Sequence, residues 1–456
     1  MRAASAAEEI DVTTTLKTVQ VLKRVQISRS GTAPVMSRAA LMLGLVTLAL
    51  TACAPATDLR SVVAQNHPSE GHAYEGPLVI TQGGTYRGNW QSLDPAVPAI
   101  SIRTREPVVI ENSYLRGRGN LIRGEWVNLT IRNTTGYGLN PLTDGLFPGR
   151  FMNVEKVLNL DVQNNTLIGT SGIYVNYFNG DSASGQTIKI LKNKIKNVDG
   201  RYVDASGKLT GKRYNVQAIQ FNAVRGVAGV EIAWNEITNE PEKSGVEENI
   251  NMYVSSGTPQ SSIQIHNNFI DGAYGVNPRK DRGYSGGGIM LGDGSGNDLA
   301  LSGGYVDVYD NQVVRTSNQG IAIAGGHHQR VYGNRIVSSG RLPSGEINPS
   351  ANVGIYVWNN QADAQKLSPT FFNNSVFNNL IGWARFDASG KQYYNNLWTP
   401  SCLEAAGNVC KDNQAWPVAV SQDSEREELA RWKSKMSQAR VSVGVDAARV
   451  LAHSAN

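Results

Sequence analysis

No stretch of this sequence is a dense run of Lys or Arg. The formal charge is +5, but residues 1–52 alone hold six basic and three acidic side chains, so the remainder is close to neutral. A nucleic-acid footprint is therefore excluded. A long apolar run is also missing. The one within residues 36–52 is too short and too weakly flanked for a spanning helix. Cysteine is nearly absent, with three in 456 residues. Two of them, Cys402 and Cys410, have no His or further Cys nearby and make a poor zinc site. They lie in S-C-L-E-A-A-G-N-V-C, eight apart around a Gly-Asn turn, and outside the cytoplasm a local disulfide is expected.

What is present is turn chemistry and enough apolar residue for a core. The chain is 40% hydrophobic and 18% charged, with 47 glycines and frequent Asn. That composition fits β structure with many corners better than a helical bundle.

The N-terminal segment M-S-R-A-A-L-M-L-G-L-V-T-L-A-L-T-A-C, residues 36–53, has a basic start, a short apolar run and small residues before Cys53. It reads as a cleaved export signal. Its ending Leu50-Thr51-Ala52-Cys53 resembles the bacterial lipobox. That resemblance implies that Cys53 is lipidated and anchors the protein to a membrane of the cell envelope, at the outer membrane or cell surface. Residues 1–35 would then precede the true start at Met36, with 53–74 as a tether, 75–400 as the main domain and 401–456 as a C-terminal cap.

The main domain repeats. V-E-I-A-W-N-E-I-T-N (230–239), I-Q-I-H-N-N-F-I-D-G (263–272) and V-D-V-Y-D-N-Q-V-V-R (306–315) share an alternating apolar pair, two residues, an Asn and another apolar residue. The same frame puts Asn165, Asn193, Asn235, Asn268, Asn311, Asn334, Asn374 and Asn396 in one column, with Ser113 and Thr134 in the corresponding places of earlier turns. The closest spacings are about 21 to 23 residues. Between these segments runs a second series: G-I-Y-V-N (172–176), A-I-Q-F-N (218–222), N-I-N-M-Y (249–253), G-I-M-L-G-D (288–293), G-I-A-I-A-G (320–325) and G-I-Y-V-W-N (354–359). Alternation at period two marks strands with one buried face. The Leu-x-x-Leu-x-Leu frame of a leucine-rich repeat is absent, and a propeller would require antiparallel hairpin turns.

This pattern resembles the right-handed, single-stranded parallel β-helix of the pectate lyase-like superfamily: an all-β solenoid. The resemblance implies Asn residues in a left-handed conformation at the corners, bonded coil to coil, and a polysaccharide held on the face of the second strand series. S-E-R-E-E-L-A-R-W-K-S-K-M then predicts a short helical cap, with Ser424 and Glu427 as a capping box and Leu429, Trp432 and Met436 on its buried face.

Outward positions of the second series are Tyr174, Asn176, Gln220, Asn222, Asn251, Tyr253, Tyr356 and Trp358. Aromatics and amides of this kind suit sugar faces and hydroxyls. The insertion D-G-A-Y-G-V-N-P-R-K-D-R-G-Y-S-G-G (271–287) adds Arg279, Lys280, Asp281, Arg282 and Tyr284, and the coils that follow end at Asp293 and at His327-His328. Parallel strands stack about 4.8 Å apart, so Asp293 and His327 are expected close together. For a lyase, Lys280, Arg279 or Arg282 would be the cations and Tyr284 or His327 the acid. A calcium ion on oxygen ligands such as Asp293 and Asp298 would suit that chemistry, and no other cofactor is called for. For a hydrolase, Asp293 would pair with Asp281, Glu247 or Glu248. The Gly-His-Gly motif of polygalacturonases and the usual lyase signatures are absent. A non-catalytic glycan-binding or scaffold protein is the alternative. A monomer is expected, with a polysaccharide or cell-envelope glycan as its partner.

Overall fold

The computed structural model describes residues 72–445. Cys53, the signal and most of the tether lie outside them. The described chain winds through three long sheets whose strands pair in parallel with their counterparts one coil away, except that Gln392–Tyr394 pairs antiparallel with Leu380–Phe386. Sheet 1 has eleven strands, from Leu78–Ile80 to Leu397–Trp398; sheet 2 has eleven, from Gly84–Tyr86 to Val409–Lys411; sheet 3 has twelve, from Asn89–Ser92 to Gln392–Tyr394. This is a right-handed parallel β-helix, the hand that parallel crossovers take.

Register explains the core. In sheet 1, Ile122, Met152, Ile173, Ile219, Ile250, Ile289, Ile321 and Ile355 occupy one inward file, each opposite the next. In sheet 2, Ile131, Val162, Ile190, Ile232, Ile265, Val308, Val331 and Val376 do the same. All are fully buried. Branched chains at like positions therefore build the interior, and each coil covers its neighbour's apolar edge. The last partner in the sheet 2 file is Cys410, which is disulfide-bonded to Cys402.

Asparagines line the corner between sheets 2 and 3. Asn235 Nδ2 donates to Asn268 Oδ1 and to Ile190 O, both at 2.9 Å. Its Oδ1 accepts from the backbone N–H and Nδ2 of Asn193, both at 3.0 Å. The side chain is fully buried and every donor and acceptor on it is used. The ladder runs from Thr134 through Asn165, Asn193, Asn235, Asn268, Asn311 and Asn334. It then passes to Asn379 and Asn413, not to Asn374 and Asn396. The frame slips there because the strand is Ser375–Phe377, so Asn374 precedes it and Asn379 follows its corner. Asn374 instead joins Gln329 and Asn408, and Asn396 accepts from Trp383 N–H. The left-handed residue of each corner is also not the ladder Asn but the one before it, such as Asn164, Trp234, Asn267 or Asp310, all at φ of 53° to 58°.

The helix Gln422–Ala439 lies along the flank of sheet 3. Trp432 packs on Phe269, with Val314 and Val337 in the same cluster, and Leu429 and Met436 lie against it. Its N-cap is Ser421, and the capping box pairs Ser421 with Ser424, so the helix begins three residues before the expected cap. Among the described residues no helix is long and apolar enough to cross a membrane.

Candidate functional site

Outward files on sheet 1 follow from the same register. One reads Asn153, Tyr174, Gln220, Asn251, Met290, Ala322, Tyr356; the next reads Glu155, Asn176, Asn222, Tyr253, Asp293. Loops leaving sheet 3 border this face on one side, and loops entering sheet 2 border it on the other.

Asp293 reaches its file through an irregularity. Met252 opposes Leu291, but Tyr253 opposes Asp293, so Gly292 is the extra residue of a bulge. Gly292 has φ +68°, and a Cβ there would collide with the Gly325 carbonyl. The bulge turns Asp293 to the outer face, a common use of bulges near functional groups. Glycine matters again at Gly287, between Glu248 and Gln319, where a Cβ would strike the Gln319 amide and crowd Glu248.

These gaps allow a compact polar group. Asn251 Nδ2 donates to Glu248 Oε2 at 3.2 Å and to Asp293 Oδ2 at 3.1 Å. Tyr284 Oη donates to Glu248 Oε1 at 2.6 Å and accepts from Gln319 Nε2 at 3.0 Å. Glu248 is buried, and burial, then Glu247, then Asp293 push its carboxyl up to about 8. It therefore holds a proton at neutral pH. Burial and then Glu248 raise the Tyr284 hydroxyl well above the ordinary tyrosine range, so it is a neutral donor. Yet Tyr284 as a whole is 47% exposed, its ring open to solvent and its hydroxyl turned in. Two acids in different surroundings beside an open tyrosine are suited to proton transfer.

The remaining expected residues are placed as follows. Asn222 Nδ2 donates to Tyr174 Oη at 2.8 Å, and Gln220 accepts from Arg150. Asn176 and Tyr253 stand in the Asp293 file, Tyr253 exposed. Tyr356 is outward but only 5% exposed, in a dry patch with Met290, Ala322, Ala324 and Val353. Trp358 is exposed and packs with Trp398, 5.5 Å between centroids. Lys280 and Arg282 are exposed on the Tyr284 loop and make no side-chain ion pair among the described residues. Arg279 is turned away from this face, held by Glu242 and by Glu346 at 2.7 Å. Asp281 accepts from Asn277 N–H at 2.8 Å within its own loop. Asp298 caps the short turn Leu299–Leu301, and among the described residues no three His, Cys, Asp or Glu side chains gather to hold a metal.

His327 does not join the Asp293 group. The chain turns at Gly325-Gly326, making His327 the first residue of a sheet 2 strand, opposite Gly304. Its ring packs with His328, Tyr305 and Phe372, and burial, then His328, lower its pKa to about 4.

A concavity of about 500 Å³ lies on sheet 2 between Lys189, Glu231, His266, Asp307 and Arg330. Its charges are paired with one another: Lys189 and His266 with Glu231, Arg330 with Asp307. The chemistry thus points to sheet 1 rather than to this hollow.

Neither a protein-family model nor a curated protein matches the chain. Solved structures are similar, two of which are the following. One is a mannuronic acid-specific polysaccharide family 6 lyase from human gut microbiota, 12% identical, covering 84% of this chain and 94% of that one with a TM-score of 0.34. The other is the A-module of the Azotobacter vinelandii mannuronan C-5 epimerase AlgE4, 12% identical, covering 77% and 88% with a TM-score of 0.27.

Proposed function

We propose that this protein binds a polysaccharide along the face of sheet 1 and cleaves it by acid–base chemistry at Asp293, Glu248 and Tyr284. The observation that carries this reading is the buried Glu248, joined to Asp293 through Asn251 and held by the Tyr284 hydroxyl, with its carboxyl pushed up to about 8 by burial. Eleven strands make a face roughly 48 Å long, which suits an extended polymer better than a small molecule. Amides and aromatics along it supply hydroxyl and ring contacts.

In this reading the Tyr284 hydroxyl turns from Glu248 to the departing glycosidic oxygen and protonates it, and Glu248 returns a proton to the phenolate. Asp293 is the base. It acts on a water in hydrolysis, or on the proton beside a uronate carboxylate in elimination. Elimination has one observation in its favour. Lys280 and Arg282 stand unpaired on the loop that carries Tyr284, free to neutralise a carboxylate. Incubation of the protein with a panel of uronate and neutral polysaccharides tests the proposal. Elimination yields an absorbing unsaturated end, and hydrolysis yields reducing ends alone. Binding without either product would overturn the catalytic reading and leave the glycan-binding alternative.

The lipobox-like ending at Cys53 supports export and anchoring in the cell envelope. Cys53→Ser is expected to release the protein from the membrane fraction; an unchanged fraction would count against the anchor.

A further inference from the structure

Two arginines are buried among the described residues, Arg150 and Arg201, and several partly buried ones are held by carboxylates. Arg201 is held by Asp199, Arg315 by Asp271 and Arg335 by Glu428. Arg150 is only 8% exposed and has no ion pair among the described residues. Its Nη1 donates to Ser171 O and its Nη2 to Gln220 Oε1, both at 3.3 Å, and its guanidinium lies 4.6 Å from the Tyr174 ring centroid. Burial lowers its pKa to about 10, opposed only by Tyr174 and Tyr214. A buried charge without a counter-ion is costly, so such a site favours an incoming anion.

The surroundings carry a second, independent signal. Ser171 Oγ, Gln217 Oε1 and Asn153 Oδ1 are buried and lack any hydrogen-bond partner. Ser171 and Gln217 are themselves at least 98% buried. Asn153 stands opposite Tyr174 in the register, and Gln217 shares a strand with Gln220. Tyr214, 49% exposed and stacked on Phe147 at 5.1 Å, provides an aromatic surface beside them.

We infer that Arg150 reads the charge of one sugar unit: it takes a carboxylate or sulfate substituent of an acidic polysaccharide, while Tyr214 supports the ring. The unpartnered oxygens of Asn153 and Gln217 accept that unit's hydroxyls. Gln220, which positions the guanidinium, is two strands from Asp293, roughly 10 Å along the sheet. The charged unit is therefore a neighbour of the bond that reacts. A guanidinium matches a planar or tetrahedral oxyanion better than an ammonium does. The inference rests on the proposed polysaccharide groove and gives it a substrate class.

Binding separates the two. The Asp293→Asn protein, which removes turnover, is titrated with oligogalacturonate, with its carboxyl-reduced form and with a sulfated galactan oligosaccharide. An acidic ligand is expected to bind about tenfold tighter than the reduced one. The tighter of the two acidic ligands identifies carboxylate or sulfate as the group read. Adding Arg150→Gln is expected to bring acidic and reduced ligands within twofold, and Arg150→Lys to keep part of the preference. Tyr214→Ala, at the surface, should weaken both ligands about fivefold. If no oligosaccharide binds the Asp293→Asn protein, the groove itself falls. If binding persists but the preference survives Arg150→Gln in a protein of unchanged Tm, the subsite alone falls. The subsite likewise falls if Tyr214→Ala weakens neither ligand.

Discussion

Sheets 1 and 2 are built from the same repeat yet present opposite surfaces. On sheet 2 the outward polar groups satisfy one another. Glu231, pulled down to about 2 by His266 and then Lys189, is one end of a closed network, and His266, Tyr309, Tyr332 and Phe377 stack in near-parallel file, 4.8 to 5.2 Å apart. On sheet 1 the groups are left incomplete: Glu248 keeps its proton, Arg150 has no carboxylate, and Asn251 Oδ1 and Gln217 Oε1 have no partner. A coil needs its polar groups paired to be stable. Groups left unpaired on one face, while the other face is complete, mark where a ligand would supply what is missing.

The ladder of asparagines is the extreme of completeness, so its removal gives the largest expected loss. Asn235→Ala strips partners from Asn193, Asn268 and Ile190 at once. It should cost about 3 kcal/mol or more in denaturant unfolding, with the folded fraction still active. Loss of activity at unchanged stability would move Asn235 from scaffold to site.

The next effect belongs to sheet 1 and depends on pH. Glu248 has a folded pKa above its unfolded value near 4.5, so the folded state holds the proton more tightly. Its contribution is favourable at low pH and is lost as pH rises toward and through about 8. Glu248→Gln should therefore flatten the fall in Tm between roughly pH 5 and 9. A variant curve parallel to the native one would mean that Glu248 is ionised throughout.

The smallest effect belongs to sheet 2. Lys189→Ala removes a half-exposed ion pair and leaves Glu231 with His266. A change of less than about 1 kcal/mol is expected, with no effect on turnover. A larger loss of activity than of stability would make the sheet 2 hollow a site in its own right.

The fold was legible because it is periodic: aliphatic files and corner asparagines repeat their frame. The ladder's last members were not, since the doublets Asn373-Asn374 and Asn378-Asn379 offer two registers and only pairing across coils selects one. At the site, Asp293, Tyr284 and Glu248 could be named from their strand ends and loop. His327 could not be excluded, because its fate depends on where the chain turns after Gly325. Nor could the engagement of Arg279 be foreseen, since Glu346 is 67 residues away in the chain. Arg150 gave no signal at all. A lone Arg in F-P-G-R-F-M becomes notable only when its burial and missing counter-ion are seen.

The two faces can be set against each other with one substitution each. Asp293→Asn on sheet 1 and Asp307→Asn on sheet 2 both replace a carboxylate by its amide on an outward strand position. Initial rates on the substrate that the panel identifies, measured alongside Tm, decide between them. The expected result is a loss of about 10²-fold or more for Asp293→Asn with little change in Tm, and rates within twofold of native for Asp307→Asn. Equal rates for Asp293→Asn and the native protein, or a loss confined to Asp307→Asn, would contradict the assignment of the chemistry to sheet 1.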